Sequence, residues 1–407
     1  MKHTTPIGVN LWLALLVTCA ATGALRAGEI RVDADFPGGN IIVEGIDGDV
    51  VRVRPDYRDT EGTWFYWAMR VRGAQGRTLQ LVFTQREPIG VRGPAVSNDE
   101  GITWRWLGRD GVTNSTFSYT FDDSDDSVMF SVAMPYTQAN LTRFLQSIGD
   151  NPALRVETLA TTRKDRAVER LHVGRLDGKP RYRLLVMARH HACEMMASYA
   201  LEGVIEAALA DDAVGRWFRE NVELVVLPFM DKDGVEDGDQ GKNRKPRDHN
   251  RDYNGESMHI ETAAMRQWAP RWASDGKLIA VLDIHCPTLR GPRNEVIYQV
   301  GTPHPQLREQ QQRFGKALEQ AQRGPLRYRA ADDLPFGQEW NMPRNFAQGE
   351  SSVSWAGRLP GVKLSSTIEL PYANASGKEV NQETARAFGR DLAKALCDYV
   401  KQTAAAE

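Results

Sequence analysis

Two histidines and a glutamate in this sequence have the types and spacing of metal ligands. His191 and Glu194 are three residues apart, directly after an apolar segment and at the start of a predicted helix. One helical turn lets both side chains point the same way, as two ligands of one ion must. His190 is the rival, but adjacent residues leaving a strand face opposite sides. We therefore expect His190 to pack or to form hydrogen bonds instead.

His285 is the third predicted ligand. It follows the most apolar segment of the region, residues 278–284, and open α/β sheets place ligand sites at such strand ends. A histidine buried for structural reasons is the alternative for His285 alone. Two histidines and one carboxylate, with a long gap before the last histidine, are the ligands of hydrolytic zinc sites that leave the fourth position open for water. The pattern predicts one Zn²⁺ per chain.

Two further segments carry groups that could act beside a zinc ion. The polar stretch from Gly241 to Tyr253 is rich in arginine, asparagine and aspartate. A guanidinium beside an amide can hold a carboxylate, and a second guanidinium can stabilise an oxyanion; a solvated charged loop is the alternative. Glu369 lies near the end of an apolar segment, where it is either an edge-strand carboxylate in water or a group that takes a proton from water.

The elements that must position these residues fall into two regions. Between residues 28 and 150, short apolar bursts with period two are separated by turn sequences, which predicts an all-β, antiparallel sandwich domain. From 151 to 407 the strands alternate with amphipathic helices, which predicts a three-layer α/β domain with a mixed β-sheet. The predicted strands of this second domain are 184–188, 224–227, 278–284 and 363–368, and the predicted helices are 195–209, 257–268, 306–322 and 380–401.

The first 27 residues have the composition of a secretory signal peptide. Lys2 precedes a short apolar run, and small residues follow up to Ala27. The run is shorter than the roughly 20 residues of a spanning helix, so a permanent anchor is the weaker alternative. Leu16-Val17-Thr18-Cys19 also resembles a lipoprotein processing site, which leaves lipid attachment at Cys19 open. We expect an exported protein, periplasmic or extracellular, without an integral membrane segment after the leader is removed.

The overall charge argues against nucleic acid and acidic membranes as partners. The chain has 407 residues, of which 41% are hydrophobic, and its 51 basic residues nearly balance 53 acidic ones. A net charge of −2 gives no broad electrostatic field that would attract nucleic acid or acidic membranes.

The three cysteines that follow the leader, Cys193, Cys286 and Cys397, are too few for a disulfide framework. Cys193 and Cys286 adjoin predicted ligands, and we expect them to be packing residues rather than reactive thiols or an oxidised pair.

The order of the motifs resembles a known family. An HxxE motif, a DxNR motif, a lone strand-end histidine and a strand-end glutamate follow one another as in the zinc metallocarboxypeptidases, specifically the cytosolic carboxypeptidase-like branch. Residues 64–67 and 117–137 resemble the β-sandwich that precedes the catalytic domain in that branch. The resemblance covers nearly all of the chain after residue 27.

The resemblance implies a role for each candidate residue. His191, Glu194 and His285 would bind zinc, Asp248 would orient His191, Arg244 would face the oxyanion, Asn250 and Arg251 would hold the terminal carboxylate of the substrate, and Glu369 would be the general base. The implied activity is hydrolysis of the C-terminal peptide or isopeptide bond of a peptide with a free carboxylate.

Two departures from the family leave details open. Asp231-Lys232-Asp233-Gly234 stands where many relatives have Asn-Pro-Asp-Gly, and the substrate-capping tyrosine has no secure counterpart in residues 345–355. Side-chain preference is therefore not defined by the sequence. A cell-wall peptide amidase with the same zinc site, and a non-enzymatic secreted binding protein with a structural zinc, are the alternative functions.

Overall fold

The computed structural model of the protein describes Met1 and residues 29–60, 62 and 64–405. The predicted leader, Met1 excepted, lies outside the described residues. Within the described ranges, no helix combines the length and the apolar character needed to cross a membrane.

The N-terminal region forms two facing β-sheets. One sheet has the strand order β1-β4-β9-β6-β7 and the other β2-β3-β5-β8. The strands are β1 Arg31–Asp33, β2 Ile42–Asp47, β3 Val50–Arg54, β4 Ala68–Arg72, β5 Thr78–Phe83, β6 Ala95–Ser97, β7 Arg105–Trp106, β8 Thr116–Thr120 and β9 Ser127–Ser131. The all-β prediction is confirmed, with one correction. β3 and β5 are parallel, because the chain crosses to the other sheet as β4 before it returns.

Side chains that are buried at every second position of the strands hold the two sheets together. Leu79, Leu81 and Phe83 of β5 are buried while the residues between them are more exposed. Phe117 on β8 packs against Phe130 on β9, with ring centroids 5.3 Å apart. These aromatic contacts close the interior between the sheets.

The second region is built on a mixed seven-stranded sheet with the order β10-β11-β13-β12-β14-β16-β15. Strands β13, β12, β14 and β16 are parallel neighbours, and β11 and β15 join them antiparallel. The strands are β10 Leu154–Thr161, β11 Ala167–Gly174, β12 Tyr182–Ala188, β13 Val222–Leu227, β14 Leu278–His285, β15 Tyr298–Val300 and β16 Leu364–Glu369, and a separate hairpin follows as β17 Asn374–Ala375 and β18 Lys378–Glu379.

Helices cover both faces of this sheet. The helices are α1 Gln138–Ile148, α2 Met195–Leu209, α3 Ala213–Asn221, α4 Lys232–Asp237, α5 Ile260–Trp272, α6 Pro305–Ala321, α7 Ser352–Ala356 and α8 Gln382–Ala405, with 3-10 turns at His249–Arg251, Pro292–Glu295, Ala330–Asp332 and Pro343–Phe346. Alternate residues of β12 enter two different cores. One core includes residues of α2, α6 and α8, and the other includes residues of α5 and α7. The three-layer α/β prediction is confirmed.

Three parallel strands bring their carboxyl ends to one edge of the sheet. Ala188 at the end of β12 pairs with Ile284 on β14, and His285 pairs with Glu369 at the end of β16. Helix α2 begins close after β12, and Gly203 of α2 lies so close to α8 that a Cβ there would meet the Arg386 carbonyl at 2.0 Å. The candidate site lies at this edge.

Candidate active site

The turn between β12 and α2 carries two of the predicted ligands. Arg189 adopts a left-handed backbone conformation, with φ 63°, and its buried guanidinium donates to the carbonyls of Ala192 and Tyr136. These contacts hold His191 in the turn and place Glu194 directly before the first residue of α2. Sequence reasoning missed the role of Arg189, because its partners lie in a turn and a distant loop.

The three predicted ligands converge. Nδ1 of His191 lies 2.8 Å from Oε1 of Glu194, and Nδ1 of His285 lies 2.8 Å from Oε2 of the same carboxylate. The two Nδ1 atoms are 3.3 Å apart. Donors around one tetrahedral zinc ion are separated by about 3.3 Å at ordinary zinc–nitrogen distances.

The donor set fits a zinc ion. Oε2 of Glu194 is buried, and although Nδ1 of His285 is 2.8 Å away, the contact lacks hydrogen-bond geometry and the oxygen has no hydrogen-bond partner among the described residues. Such an oxygen is costly unless a cation satisfies it. His191, Glu194 and His285 form one of two groups of close, buried donor atoms in the described part of the chain; the other is His190, Asp283 and His285. Both nitrogens of His190 already have partners, Asp283 at 2.9 Å and the Tyr253 hydroxyl at 2.7 Å. As expected, His190 forms hydrogen bonds.

Each ligand histidine presents its second nitrogen to a carboxylate. Nε2 of His191 lies 3.8 Å from Asp248, and Nε2 of His285 lies 3.0 Å from Asp283. Burial would raise the pKa of each aspartate, but the histidine contacts outweigh burial and hold both pKa values well below the usual range. Such carboxylates fix the orientation of ligand rings. Sequence reasoning gave Asp283 no role, although residues two apart on a strand share a face.

Glu369 is the carboxylate placed to act as a base. It is buried at the end of β16, opposite His285 on β14, and its Oε2 has no hydrogen-bond partner among the described residues. Burial raises the pKa of Glu369, and the Lys242 ammonium and His285 oppose this only in part. A carboxylate with a raised pKa takes and returns a proton more readily near neutral pH.

The 3-10 turn His249–Arg251 carries the predicted substrate-binding residues. Asn250 Oδ1 accepts the backbone N–H of Ser352 at 2.9 Å, and its Nδ2 lies 3.3 Å from Nε2 of His285. The guanidinium of Arg251 donates to the carbonyls of Asn345 and Asn250 and lies over the Phe346 ring at 4.9 Å. Both side chains line the same cavity as His191 and His285.

Arg244 does not lie with them. Its guanidinium contacts three carboxylates, Asp59 at 2.7 Å, Asp231 at 3.0 Å and Asp239 at 2.7 Å, and it lines a different cavity. The expected position of Arg244 beside the oxyanion is therefore not the one it occupies. The physical reason is that three carboxylates surround the guanidinium: Nη1 donates to Asp231, Nη2 donates to Asp239, and Asp59 lies 2.7 Å from Nε. The cation beside the zinc ligands is instead Lys242, two residues earlier.

The shared cavity has a volume of about 800 Å³. It extends from His191, His285 and Glu369 along the face of β16 that carries Thr367 and Ser365. Beyond these residues the wall is formed by Val300, Leu307, Gln311, Val353 and Ser354. Trp340, which is 37% exposed, also lines the cavity. The cavity therefore has room for a ligand beside His191 and His285.

The fold and the site are similar to those of metallocarboxypeptidases. Residues 141–298 match the zinc carboxypeptidase family. The chain is 28% identical over 254 residues to mouse (Mus musculus) cytosolic carboxypeptidase 3, a match covering 54% of this chain and 25% of the relative. It is 26% identical over 176 residues to cytosolic carboxypeptidase 2 of Xenopus tropicalis, covering 38% of this chain and 18% of the relative. The chain thus spans a quarter or less of these two relatives.

The fold is shared with a solved bacterial structure. The crystal structure of a metallo-carboxypeptidase from Burkholderia cenocepacia matches with a TM-score of 0.75 and 21% identity, covering 92% of this chain and 99% of that one. The match spans both regions of the present chain, so the sandwich and the α/β domain occur together in that structure. The predicted resemblance to the metallocarboxypeptidases and their cytosolic branch is confirmed.

Proposed function

We propose that this protein is a zinc-dependent carboxypeptidase that hydrolyses the C-terminal peptide or isopeptide bond of a peptide. One observation carries the proposal: His191, Glu194 and His285 converge, and the two histidines line a cavity that Glu369 and Arg251 also line. Three ligands suit a zinc ion that keeps one position open, and the two further residues supply a base and a carboxylate-binding cation.

The residues of the chain divide the reaction between them. His191, Glu194 and His285 would hold the zinc ion, which when bound supplies a Lewis acid. Arg251, with Asn250, binds the terminal carboxylate and so fixes which bond lies beside Glu369. Glu369 takes a proton from the attacking water as the C–O bond forms, and gives it to the leaving amine as the C–N bond breaks. The products are a shortened peptide and a free amino acid.

The cavity wall favours an uncharged C-terminal residue. Glu369, Thr367 and Ser365 alternate on one face of β16, so hydroxyl groups follow the base at intervals of roughly 7 Å. Glu350 also lines the cavity, but both of its oxygens are paired with Arg358. A charged side chain beyond Glu369 would lose water without gaining a partner charge, at a cost of several kcal/mol. We therefore propose neutral residues, apolar or hydroxyl-bearing, as the preferred C-terminal side chains.

The test combines metal analysis with digestion of a peptide library. The purified protein should hold about one zinc per chain, and zinc should be lost in His191→Ala and His285→Ala but kept in His304→Ala, a change at an exposed histidine. Mass spectrometry of the digest should show single residues released from free C-termini, with Lys, Arg, Asp and Glu released slowest. Full zinc occupancy in both ligand variants would contradict the proposed metal site. Cleavage at internal peptide bonds would contradict the proposed carboxypeptidase activity.

We also propose that the protein is exported. Support comes from the charged start, the short apolar run and the small residues up to Ala27, whereas the mammalian and amphibian relatives are named as cytosolic proteins. Expression of the full chain in a bacterium, followed by cell fractionation and N-terminal sequencing, should find a mature protein that begins close to residue 28. A cytoplasmic protein that retains residues 1–20 would contradict export.

A further inference from the structure

The ammonium group of Lys242 lies beside the predicted metal ligands, in the cavity that Glu369 also lines. Its Nζ is 2.8 Å from Oε1 of Glu194 and 2.8 Å from the carbonyl oxygen of Cys286, the residue after His285. The side chain is 17% exposed and lines the cavity together with Glu369. The ammonium group of Lys242 is therefore held beside the predicted metal ligands and is also accessible from the cavity.

The ammonium of Lys242 has more donors than these two contacts use. An ammonium has three N–H donors, and the two acceptors named above account for two of them. One donor remains for a ligand in the cavity.

The other nearby cations are already engaged. The guanidinium of Arg244 is surrounded by three carboxylates and lines a separate cavity. Arg251 lines the cavity, but its Nε and Nη1 donate to the carbonyls of Asn345 and Asn250, and the proposed function assigns its remaining Nη2 to the terminal carboxylate of the substrate. The backbone explains the division between the loop residues, because Gly241 and Asn243 both have left-handed conformations, with φ 75° and 60°, and turn the chain on either side of Lys242.

We propose that Lys242, rather than Arg244, is a catalytic residue that stabilises the negative charge on the carbonyl oxygen of the scissile bond. The inference rests on the proposed carboxypeptidase function. Lys242 keeps its proton throughout, because the proton that moves travels from water through Glu369 to the amine. A fixed donor aimed at developing charge lowers the barrier without strengthening ground-state binding.

A purely structural role predicts different results. If Lys242 only balances the charge of Glu194, its removal changes metal binding and folding and leaves the recognition of a tetrahedral centre unaltered. A phosphinic peptide with a free C-terminal carboxylate, which carries a charged oxygen at a tetrahedral phosphorus, separates the two roles. Its affinity follows stabilisation of the transition state, whereas the affinity of the cleaved product does not.

The experiment compares Lys242→Met, Lys242→Arg and Arg244→Gln in the full chain. For Lys242→Met we expect kcat to fall by roughly 10²- to 10³-fold, phosphinic peptide affinity to fall in parallel, and KM, product affinity and zinc content to stay within a few-fold of the wild type. Lys242→Arg should recover part of the loss. Arg244→Gln should lower the melting temperature and leave kcat and phosphinic peptide affinity nearly unchanged.

Three results would overturn the role of Lys242. These are unaltered phosphinic peptide affinity in Lys242→Met, loss of zinc from that variant, or loss of phosphinic peptide affinity in the folded Arg244→Gln variant. If the zinc-loaded wild type released no C-terminal residue from peptides, the proposed carboxypeptidase function itself would be contradicted. The two failures are therefore distinguishable in one set of measurements.

Discussion

Nε2 of His285 lies 3.0 Å from Oδ2 of Asp283, two residues earlier on the same strand. The same oxygen lies 2.9 Å from Nδ1 of His190 and accepts the hydroxyl of Ser352. All four side chains are buried. Three neighbours thus fix one carboxylate, and the carboxylate fixes the imidazole of His285 with Nδ1 toward Glu194.

Asp283→Asn should weaken zinc binding by about 10- to 100-fold, because the amide presents a donor or a weaker acceptor to His285 and no longer orients its ring. Competition with a chelator of known affinity measures the change. Asp110→Asn, at an exposed aspartate, is the matched control and should bind zinc as the wild type does. Equal zinc affinity in both variants would show that Asp283 serves only the packing of the strand.

Glu369→Gln should lose at least about 10²-fold in kcat while KM and zinc content stay near the wild-type values, because the side chain acts on the proton and not on substrate binding. Glu350→Gln is the control, because Glu350 lines the same cavity but its carboxylate is already paired with Arg358. Steady-state kinetics with elemental analysis decides the matter. A variant that keeps its turnover would require a different base.

Arg251→Ala should raise KM by roughly 30- to 150-fold, equivalent to about 2 to 3 kcal/mol for a lost charge-assisted contact. The free carboxylate needs this guanidinium in both the ground state and the transition state, so kcat should change much less. A peptide amide should reproduce the loss in the wild type, and the variant should no longer distinguish amide from acid. Equal wild-type rates on both peptides would indicate an endopeptidase or an amidase.

Asp333 should make the stability of the fold depend on pH. Burial raises the pKa of this carboxyl to about 6, although the backbone N–H of Gln299 and the Tyr328 hydroxyl oppose the rise. The unfolded chain has a pKa near 3.8, so between these values the folded state binds more protons and stability falls as pH rises. The effect amounts to at most about 3 kcal/mol and is complete above about pH 6.

Asp333→Asn removes this titration and serves as the reference. The free energy of unfolding, measured in urea for the zinc-free proteins, should fall in the wild type relative to the variant between pH 4.5 and 6.5. Above pH 7 the difference between the two should stay constant. A difference that is constant throughout, or that rises with pH, would contradict a raised pKa at Asp333.

Features that follow from the periodicity of apolar residues, or from residues adjacent in the chain, are predictable from the sequence. The strand preceding His191 and the helix after Glu194 were predicted from an apolar run and a helical repeat, and the structure places α2 at Met195–Leu209 as expected. Asp283 lies on the same strand face as His285 and was predictable from period two alone. The sandwich was predicted from alternation, but alternation does not encode that β3 and β5 run parallel.

The path of the loop after α4 was beyond sequence reasoning. Lys242 and Arg244 are two residues apart in a polar segment, and both types can stabilise an oxyanion. Only the contacts of Arg244 with Asp59 and Asp231, residues far from it in the chain, decide which of the two faces the cavity. A motif aligned by family resemblance therefore gave the correct loop and a different cation.

The acids around Arg244 also join the two halves of the molecule. Asp59 belongs to the sandwich, and its carbonyl accepts the backbone N–H of Lys245 at 2.9 Å. Its neighbour Arg58 contacts Asp239, 2.8 Å away, on the loop that carries Lys242. A truncated protein that lacks the sandwich would lose the contact of Asp59 with Arg244 and the contact of Arg58 with Asp239. The loop that carries Lys242 would then lose part of its support. The sandwich thus braces the loop that carries Lys242, and we expect the two regions to unfold in a single thermal transition.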